Sequence, residues 1–402
     1  MKTIVIGAGV AGLFFANFMG KSDVKVLDKN EFAGRKLLAT GNGRCNFTNL
    51  NYGVDNFTSS NDDFVKNVID YFTNMDLIEY FHELGIATTH LPSGRCYPKT
   101  MSSKTVRDIL YLSAKESIEF MFDEKVTGID FKRKKVKTST NNYSYDKLVI
   151  AAGGITLKNS GSDGKIFELI KDEIPITKMT YAITNYETKE KLSKKAKGTK
   201  VSARASLFVD GKYVKESVDD VIFQDYGLTG TAILDISNDL SLHLMKNREC
   251  EIRIDFFPEY NRKDFRNFLF KLSKKFPNRP IKDILIGIIN EKLIDDILNI
   301  SNVSLKKISG NLSDKDFDNL TKSLKNLSFS VKKIHDKENA QVTIGGVDIK
   351  YIDPKTMTST IYPDVFFIGE CQEVAGACGG YNISWAASTA KIASDYIRSL
   401  DV

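Results

Sequence analysis

Thr3-Ile4-Val5-Ile6-Gly7-Ala8-Gly9-Val10-Ala11-Gly12 opens the chain and decides its fold. The first four residues are a β-branched run, the mark of a buried strand. The next six read G-x-G-x-x-G and lead into a helical stretch to about Met19. A second strand, Val24–Leu27, ends at Asp28, 21 residues after Gly7. Each residue type has a reason at its position. Gly7 permits the tight turn, Gly9 lets backbone approach a pyrophosphate, and Gly12 lets the helix sit close on the strand. The helix N-terminus faces the negative charge, and Asp28 would accept hydrogen bonds from a ribose diol. A tight turn with no ligand is the simpler alternative, but strand, glycines, helix and acid in series argue against it. The fingerprint does not separate NAD from FAD. Gly41-Asn42-Gly43-Arg44-Cys45-Asn46 looks similar but follows no strand, so only one nucleotide fold is present. One such fold completed by a distant segment favours a tightly held FAD. Lys29 follows Asp28 where an Arg cluster would signal a 2′-phosphate.

The rest of the chain is ordinary in bulk. Its 402 residues, 42% hydrophobic and 27% charged, allow two or three domains and exclude disorder. The net charge of +6 is uneven: +2 over 1–190, +7 over 191–340 and −3 over 341–402. A basic bias is usually a solvated face and does not by itself imply nucleic acid. The cysteines, Cys45, Cys96, Cys250, Cys371 and Cys378, are scattered, odd in number and without a C-x-x-C pair, so neither disulfides nor a zinc site is expected. No apolar run could span a bilayer, and a strand follows Met1-Lys2 at once, which leaves no room for a cleaved signal. A cytoplasmic protein with reduced thiols, no membrane and no metal is expected.

Periodicity predicts a helix over 61–84 with Gly85 as its C-cap, and another over Thr105–Ala114. Strands of a meander are expected at Ile118–Phe122, Lys125–Phe131 and Val136–Thr140, then a buried strand at Leu148–Ala151. From about 178 the alternation is of the β kind, at Tyr181–Tyr186, Ser202–Val209, Val218–Phe223, Ala232–Ile236 and Glu251–Phe257. Residues 261–325 read as helical, and strands return at Ser328–Ile334, Gln341–Ile344 and Ile361–Ile368 before a helix over Ile383–Ile397. The simplest assembly is an FAD-binding domain from 1–182 and 344–402, an inserted β domain from 183–260 and 326–343, and a helical domain from 261–325.

Gly34-Arg35-Lys36-Leu37-Leu38-Ala39-Thr40-Gly41-Asn42-Gly43-Arg44-Cys45-Asn46 lies in a long segment with little periodicity, which in a compact domain points to function. Its glycines let backbone approach a ligand, Arg35, Lys36 and Arg44 can neutralise phosphates, and Asn42 and Asn46 can meet a flavin edge. A solvated basic loop would not need so many backbone-permissive positions.

This stretch closely resembles the signature of the BaiN-like (YhiN-like, aminoacetone-oxidase-like) family of FAD-dependent oxidoreductases. Gly94-Arg95-Cys96-Tyr97-Pro98, Gly153-Gly154 with Gly161-Ser162-Asp163-Gly164, Phe223–Gly230, Gly345-Gly346-Val347, Gly369-Glu370 and Gly379-Gly380-Tyr381-Asn382 resemble further segments of it. Together they run from residue 4 to about 393. Gln224-Asp225, Thr231 and Ala375-Gly376-Ala377 depart from the family, which usually has Thr-His, Pro and Asp-Gly-Pro-rich residues there. The resemblance implies an α/β, Rossmann-type FAD-binding domain of the glutathione-reductase type, split by an inserted β-barrel-like domain and a helical domain. It implies cofactor contacts at Gly7, Gly9, Val10, Ala11 and Gly12; at Asp28 and Lys29; at Gly34, Arg35, Lys36 and Leu37; at Gly41, Asn42, Gly43, Arg44, Cys45 and Asn46; at Val126; at Ala152, Gly153 and Gly154; at Gly369 and Glu370; and at Gly380, Tyr381, Asn382 and Ile383.

Glu370 ends a buried strand and can bind ribityl hydroxyls. The helix beginning near Tyr381 carries about +0.5 charge at its N-terminus. At the N1–C2 carbonyl edge of a flavin, that charge would stabilise the reduced ring while the cofactor carries the hydride. Cys45 and Cys378 sit in the glycine loops and could approach the ring, although isolated cysteines are more often inert. Tyr381 is a weak candidate proton donor. His82, His90, His243 and His335 read as surface or helix residues, so no catalytic acid or base is named. The expected function is FAD-dependent hydride transfer to or from a small-molecule organic substrate, with NAD(P)H as a candidate transient electron donor or with electrons passed to oxygen. The alternative is an RNA-modifying or RNA-binding flavoprotein, suggested by Lys191, Lys194, Lys195, Lys197 and Lys200. The lack of interleaved aromatics counts against it. A non-enzymatic FAD-bound partner protein ranks third. The insertion is expected to cover the flavin and shape the substrate cavity.

Overall fold

The computed structural model describes residues 1–401 and divides into two compact units, Met1–Ala182 with the segment from Glu338 onward, and Ile183–Lys337. The first is built on a five-stranded, all-parallel sheet in the order Val365–Phe367, Lys147–Ile150, Thr3–Ile6, Val24–Leu27, Glu119–Met121. All four residues of Thr3–Ile6 are buried, as a central parallel strand covered on both faces requires. Helix Val10–Met19 returns across the sheet. The last helix, Tyr381–Ser399, buries Trp385, Ala386, Ala387 and Ala390 in the same core. The fold is a Rossmann-type nucleotide-binding domain with its sheet completed from the C-terminal end of the chain.

Several elements differ from the periodicity reading. The helix expected over 61–84 is two, Asp62–Tyr71 and Asn74–Glu83. Phe72 is extended between them, and Thr73 and Asp76 form a reciprocal capping box that starts the second. Buried Phe72 continues the apolar stripe across the break, which is why spacing alone ran through it. Gly85 does lie just past the second helix at φ +79°. Glu119–Met121 belongs to the main sheet, pairing parallel with Val24–Leu27. The antiparallel meander is instead Val126–Asp130, Lys135–Thr138 and Asn142–Ser144.

The second unit is a closed barrel of Tyr186–Thr188, Gly227–Thr229, Lys212–Phe223, Lys200–Val209, Cys250–Asp255 and Leu327–Ile334, in that order. Asp210 and Gly211, at φ +47° and +78°, turn its long hairpin in the way the right-handed twist prefers. Ala232–Ile236, expected as a strand, is helical over Thr231–Asp235 and runs into helix Ser237–Met245. Ile233, Ile236 and Leu240, all buried, have helical spacing that a short apolar window does not reveal. Helices Arg262–Lys275, Glu291–Ile300 and Asp314–Lys325 bury Phe265, Leu293, Ile297, Phe317 and Leu320 in the same apolar cluster as the barrel residues Leu207, Phe223, Ile252 and Phe329. Barrel and helices thus share one core, where separate β and helical domains were expected.

The return to the first unit falls at Glu338, earlier than the expected 344. Val342–Ile344 pairs antiparallel with Thr180–Ala182 inside the first unit, with Ala182 opposite Val342. The two ends of that unit therefore meet where the insertion leaves. Replacing 183–337 by a short Gly-Ser linker should leave a cooperatively melting domain with mixed α/β circular dichroism. A non-cooperative or insoluble product would show that the first unit has no core of its own.

Candidate functional site

The G-x-G-x-x-G turn contains three glycines with different reasons to exist. Gly7 sits at φ +109°, and a Cβ there would lie 2.5 Å from the Ala151 carbonyl oxygen. A Cβ on Gly12 would lie 2.0 Å from the Gly7 carbonyl oxygen. Both are demanded by strand and helix packing. Gly9 is not: its φ is −70°, and the nearest atom to a Cβ is the Ala151 oxygen at 4.0 Å. Nothing in the protein explains glycine there. A ligand lying against the backbone at the start of helix Val10–Met19 does. Val10 and Ala11 form the first turn of that helix.

Asp28 follows the second strand with its carboxylate largely engaged. Its Oδ2 accepts the Ala8 N–H at 2.7 Å, and its Oδ1 accepts the backbone and side-chain N–H of Asn30 at 2.8 and 2.9 Å. A carboxylate has about four acceptor sites, so Oδ2 keeps room for a hydroxyl. Burial pushes the Asp28 pKa up, against the N–H groups of Asn30 and Ala8. Lys29 turns away to pair with Asp163 at 2.7 Å. The backbone N–H of Glu124 donates to the Asp28 carbonyl, which brings the start of the meander, and with it Val126, alongside.

The loop from Gly34 is pinned to the glycine turn, since Gly34 N–H donates to Ala8 O at 2.8 Å. Lys36 is not a free cation. Its ammonium pairs with Glu370 at 2.6 Å and donates to Thr156 Oγ1 at 2.8 Å. Glu370 in turn accepts the Thr156 hydroxyl at 3.1 Å and the Thr343 N–H at 3.0 Å. Gly153, Gly154, Gly369 and Ala152 surround this knot. A Cβ on Gly154 would meet Thr343 Oγ1 at 2.0 Å, one on Gly369 would meet the Ala11 Cβ at 2.7 Å, and the Gly154 N–H donates to Ser162 Oγ at 2.9 Å. Arg35 is exposed and lies over the Phe32 ring. Leu37 is buried core.

A second cluster gathers 41–49 and 376–384. Gly41, Asn42, Gly43 and Cys45 all have positive φ, and Asn42, Gly43 and Arg44 are exposed. Arg44 stacks over Tyr97. Asn46 spends its amide N–H groups on the carbonyls of Thr48 and Cys96, both at 2.9 Å. Gly380, at φ +99°, opens the last helix against Thr48, whose backbone N would be 2.6 Å from a Cβ. Asn382 exchanges two hydrogen bonds with the backbone of Gly376, and Ile383 is buried. Tyr381 is 5% exposed and donates to the Asn51 carbonyl at 3.0 Å, so its hydroxyl proton is engaged by backbone. Burial pushes the Cys45 and Cys371 thiols up to about 12, so neither is thiolate near neutrality.

Thr156, Thr343 and Asn30 carry no signal in the sequence, and Ser162 stands out there only as part of Gly161-Ser162-Asp163-Gly164. Lone Thr and Ser residues carry no motif, and Thr156 and Thr343 lie 187 positions apart. No group of residues that could hold a metal ion occurs among the described residues. None of the described helices is long and apolar enough to cross a membrane.

The family model HI0933-like protein Rossmann domain matches residues 1–396. A 3-dehydro-bile acid delta(4,6)-reductase of Clostridium scindens is 26% identical over 397 residues, covering 97% of each chain. A ribosomal RNA dihydrouridine synthase of Haemophilus influenzae is 28% identical over 406 residues, covering 97% of this chain and 96% of its own. A protein of the same name from Escherichia coli is 28% identical over 402 residues, covering 96% and 95%.

Gly9→Ala should leave stability within about 1 kcal/mol yet strip nucleotide binding, whereas Gly12→Ala should cost about 3 kcal/mol or more. Thermal melts with and without cofactor separate the two; equal damage from both would remove the case for a ligand at Gly9. Alkylation at pH 8 of the native protein should spare Cys45 and Cys371, read by peptide mass after quenching.

Proposed function

The chain belongs to the HI0933-like Rossmann family, and on that premise we propose that it is an FAD-dependent oxidoreductase that reduces a carbon–carbon double bond conjugated to a carbonyl group. The observation that carries the reading is the open approach at Gly9, beside a helix N-terminus and a carboxylate with acceptor capacity to spare. Two differently named activities among the relatives support the reaction class. A delta(4,6) 3-dehydro-bile acid has double bonds conjugated to a ketone, and dihydrouridine is uridine with its carbonyl-conjugated ring double bond reduced. Both names describe the addition of a hydride and a proton across such a bond.

FAD, when bound, supplies the hydride, with NAD(P)H as the electron donor that replenishes it. The chain contributes binding and electrostatics. The first-turn N–H groups of Val10–Met19 would hold a pyrophosphate, and Asp28 Oδ2 would offer a ribose hydroxyl an acceptor. The Lys36–Glu370 pair is nearly neutral as a unit, so its part is to hold the loop from Gly34 and the strand end at Gly369 together. At Tyr381–Ser399 the side chains of Tyr381 and Asn382 are committed to backbone. What that helix can offer a ring is its N-terminal N–H groups and partial positive charge. The substrate in the first reading is a free organic molecule. A second reading, uridine within RNA, is favoured by the names of two relatives.

Purified protein should be yellow and should bleach under anaerobic NADH or NADPH. Reoxidation by a conjugated enone, or by uridine-containing RNA, then picks the substrate class. Colourless protein that refuses FAD on reconstitution would sink the proposal.

A further inference from the structure

The inserted unit carries the excess of positive charge, and its densest cluster of cations lies on helix Arg262–Lys275 and the turn that follows it. Of the Lys run at 191–200, Lys195 pairs with Asp295, Lys197 with Asp225 and Lys200 with Asp220, so much of that charge is answered. Residues 262–282 hold eight cations and one anion, a net +7 equal to the excess of the whole 191–340 region. Within them Arg266 is spent on Asp314 and Asp318, and Lys282 on Asp295. Arg262, Lys263, Lys271, Lys274, Lys275 and Arg279 are exposed and form no ion pair among the described residues.

Helical spacing gathers these charges. Helix Arg262–Lys275 buries Phe265, Leu269 and Ser273. At 3.6 residues per turn, Lys263, Phe270, Lys271, Lys274 and Lys275 fall within an arc of about 140° on the opposite side. Two aromatic rings lie among the cations. Phe270 is 40% exposed with the Lys274 ammonium 5.3 Å from its centroid, and Phe276 has Lys275 at 5.6 Å and Arg279 at 4.4 Å. Lone surface lysines need only solubility as their reason. Unanswered cations interleaved with accessible rings match a strand of phosphates with bases free to stack.

We propose that the face formed by Lys263, Phe270, Lys271, Lys274, Lys275 and Arg279 docks single-stranded RNA, the cations meeting phosphates and Phe270 meeting a base. Such docking rests on the second reading, uridine within RNA, and deepens it by naming the surface that meets the strand; it needs no turnover.

The test is fluorescence anisotropy of a labelled 20-nucleotide single-stranded RNA titrated with the holoprotein across a salt series. Wild type should bind with a steep salt dependence. Lys271→Gln/Lys274→Gln/Lys275→Gln should weaken binding about ten-fold or more and flatten the log–log salt slope by about 2. Phe270→Ala should weaken RNA binding about five-fold while leaving binding of heparin, a polyanion without bases, unchanged. Lys195→Gln/Lys197→Gln should bind RNA as wild type does. All variants should keep their FAD absorbance and NAD(P)H bleaching, so docking and redox chemistry can fail separately. Wild type without salt-sensitive RNA binding, or a triple variant that binds as wild type, overturns the proposal. Equal affinity for heparin and RNA with a silent Phe270→Ala overturns it in favour of a simple polyanion surface.

Discussion

One carboxylate closes the nucleotide-binding unit. Glu370 stands at the end of the strand that completes the sheet from the far side of the insertion. It is held by Lys36 from the loop after the second strand, by the Thr156 hydroxyl and by the Thr343 N–H. Three segments that are remote in sequence converge on the two oxygens of a fourth. With side chains only about one-fifth exposed, the pair is shielded enough that losing one partner leaves a charge poorly compensated, which costs far more than a surface pair. The glycines around it follow from the same demand. Gly154 and Gly369 exist because Thr343 and Ala11 press in where side chains would stand.

A glycine can be required from inside the protein or from outside it, and the two are distinguishable. Gly7, Gly12 and Gly380 are required from inside, each by a carbonyl or amide that a Cβ would strike. Gly9 and Gly43 have no such neighbour. Gly43 still needs its positive φ, but Gly9 has an ordinary one. In the first fingerprint, packing therefore accounts for the outer glycines and not for the middle one.

Much of this was legible in the chain. Thr3–Ile6, the glycine turn, Val24–Leu27 and Asp28 stand where spacing put them, because a buried parallel strand and a G-x-G-x-x-G turn each leave a local signature. The Glu370 knot was not legible, since its threonines are single residues brought together by topology. Lys36 and Asn46 illustrate the limit from the other side. Their types suited phosphate and flavin, but one is neutralised by Glu370 and the other is absorbed by backbone carbonyls. Charge behaved likewise. The run at 191–200 drew attention because it is dense in sequence, yet three of its five lysines are paired, while helix Arg262–Lys275 gathers exposed cations that are spaced by turns. The apolar windows at 61–84 and 232–236 misled for a simpler reason. A buried stripe continues through a capping box, and five residues are too few to separate a buried helix from a strand.

The sheet that opens at Thr3 is finished only by Val365–Phe367 and roofed only by Tyr381–Ser399. During synthesis four of the five strands, through Lys147–Ile150, emerge before the insertion, but the edge strand Val365–Phe367 and the last helix follow only after it. The insertion, with its own apolar cluster within Ile183–Lys337, is complete while the domain around it still lacks a strand and its longest helix. The guest can therefore settle before the host is complete, and the pairing of Thr180–Ala182 with Val342–Ile344 joins the two segments of the host at the point where the insertion leaves.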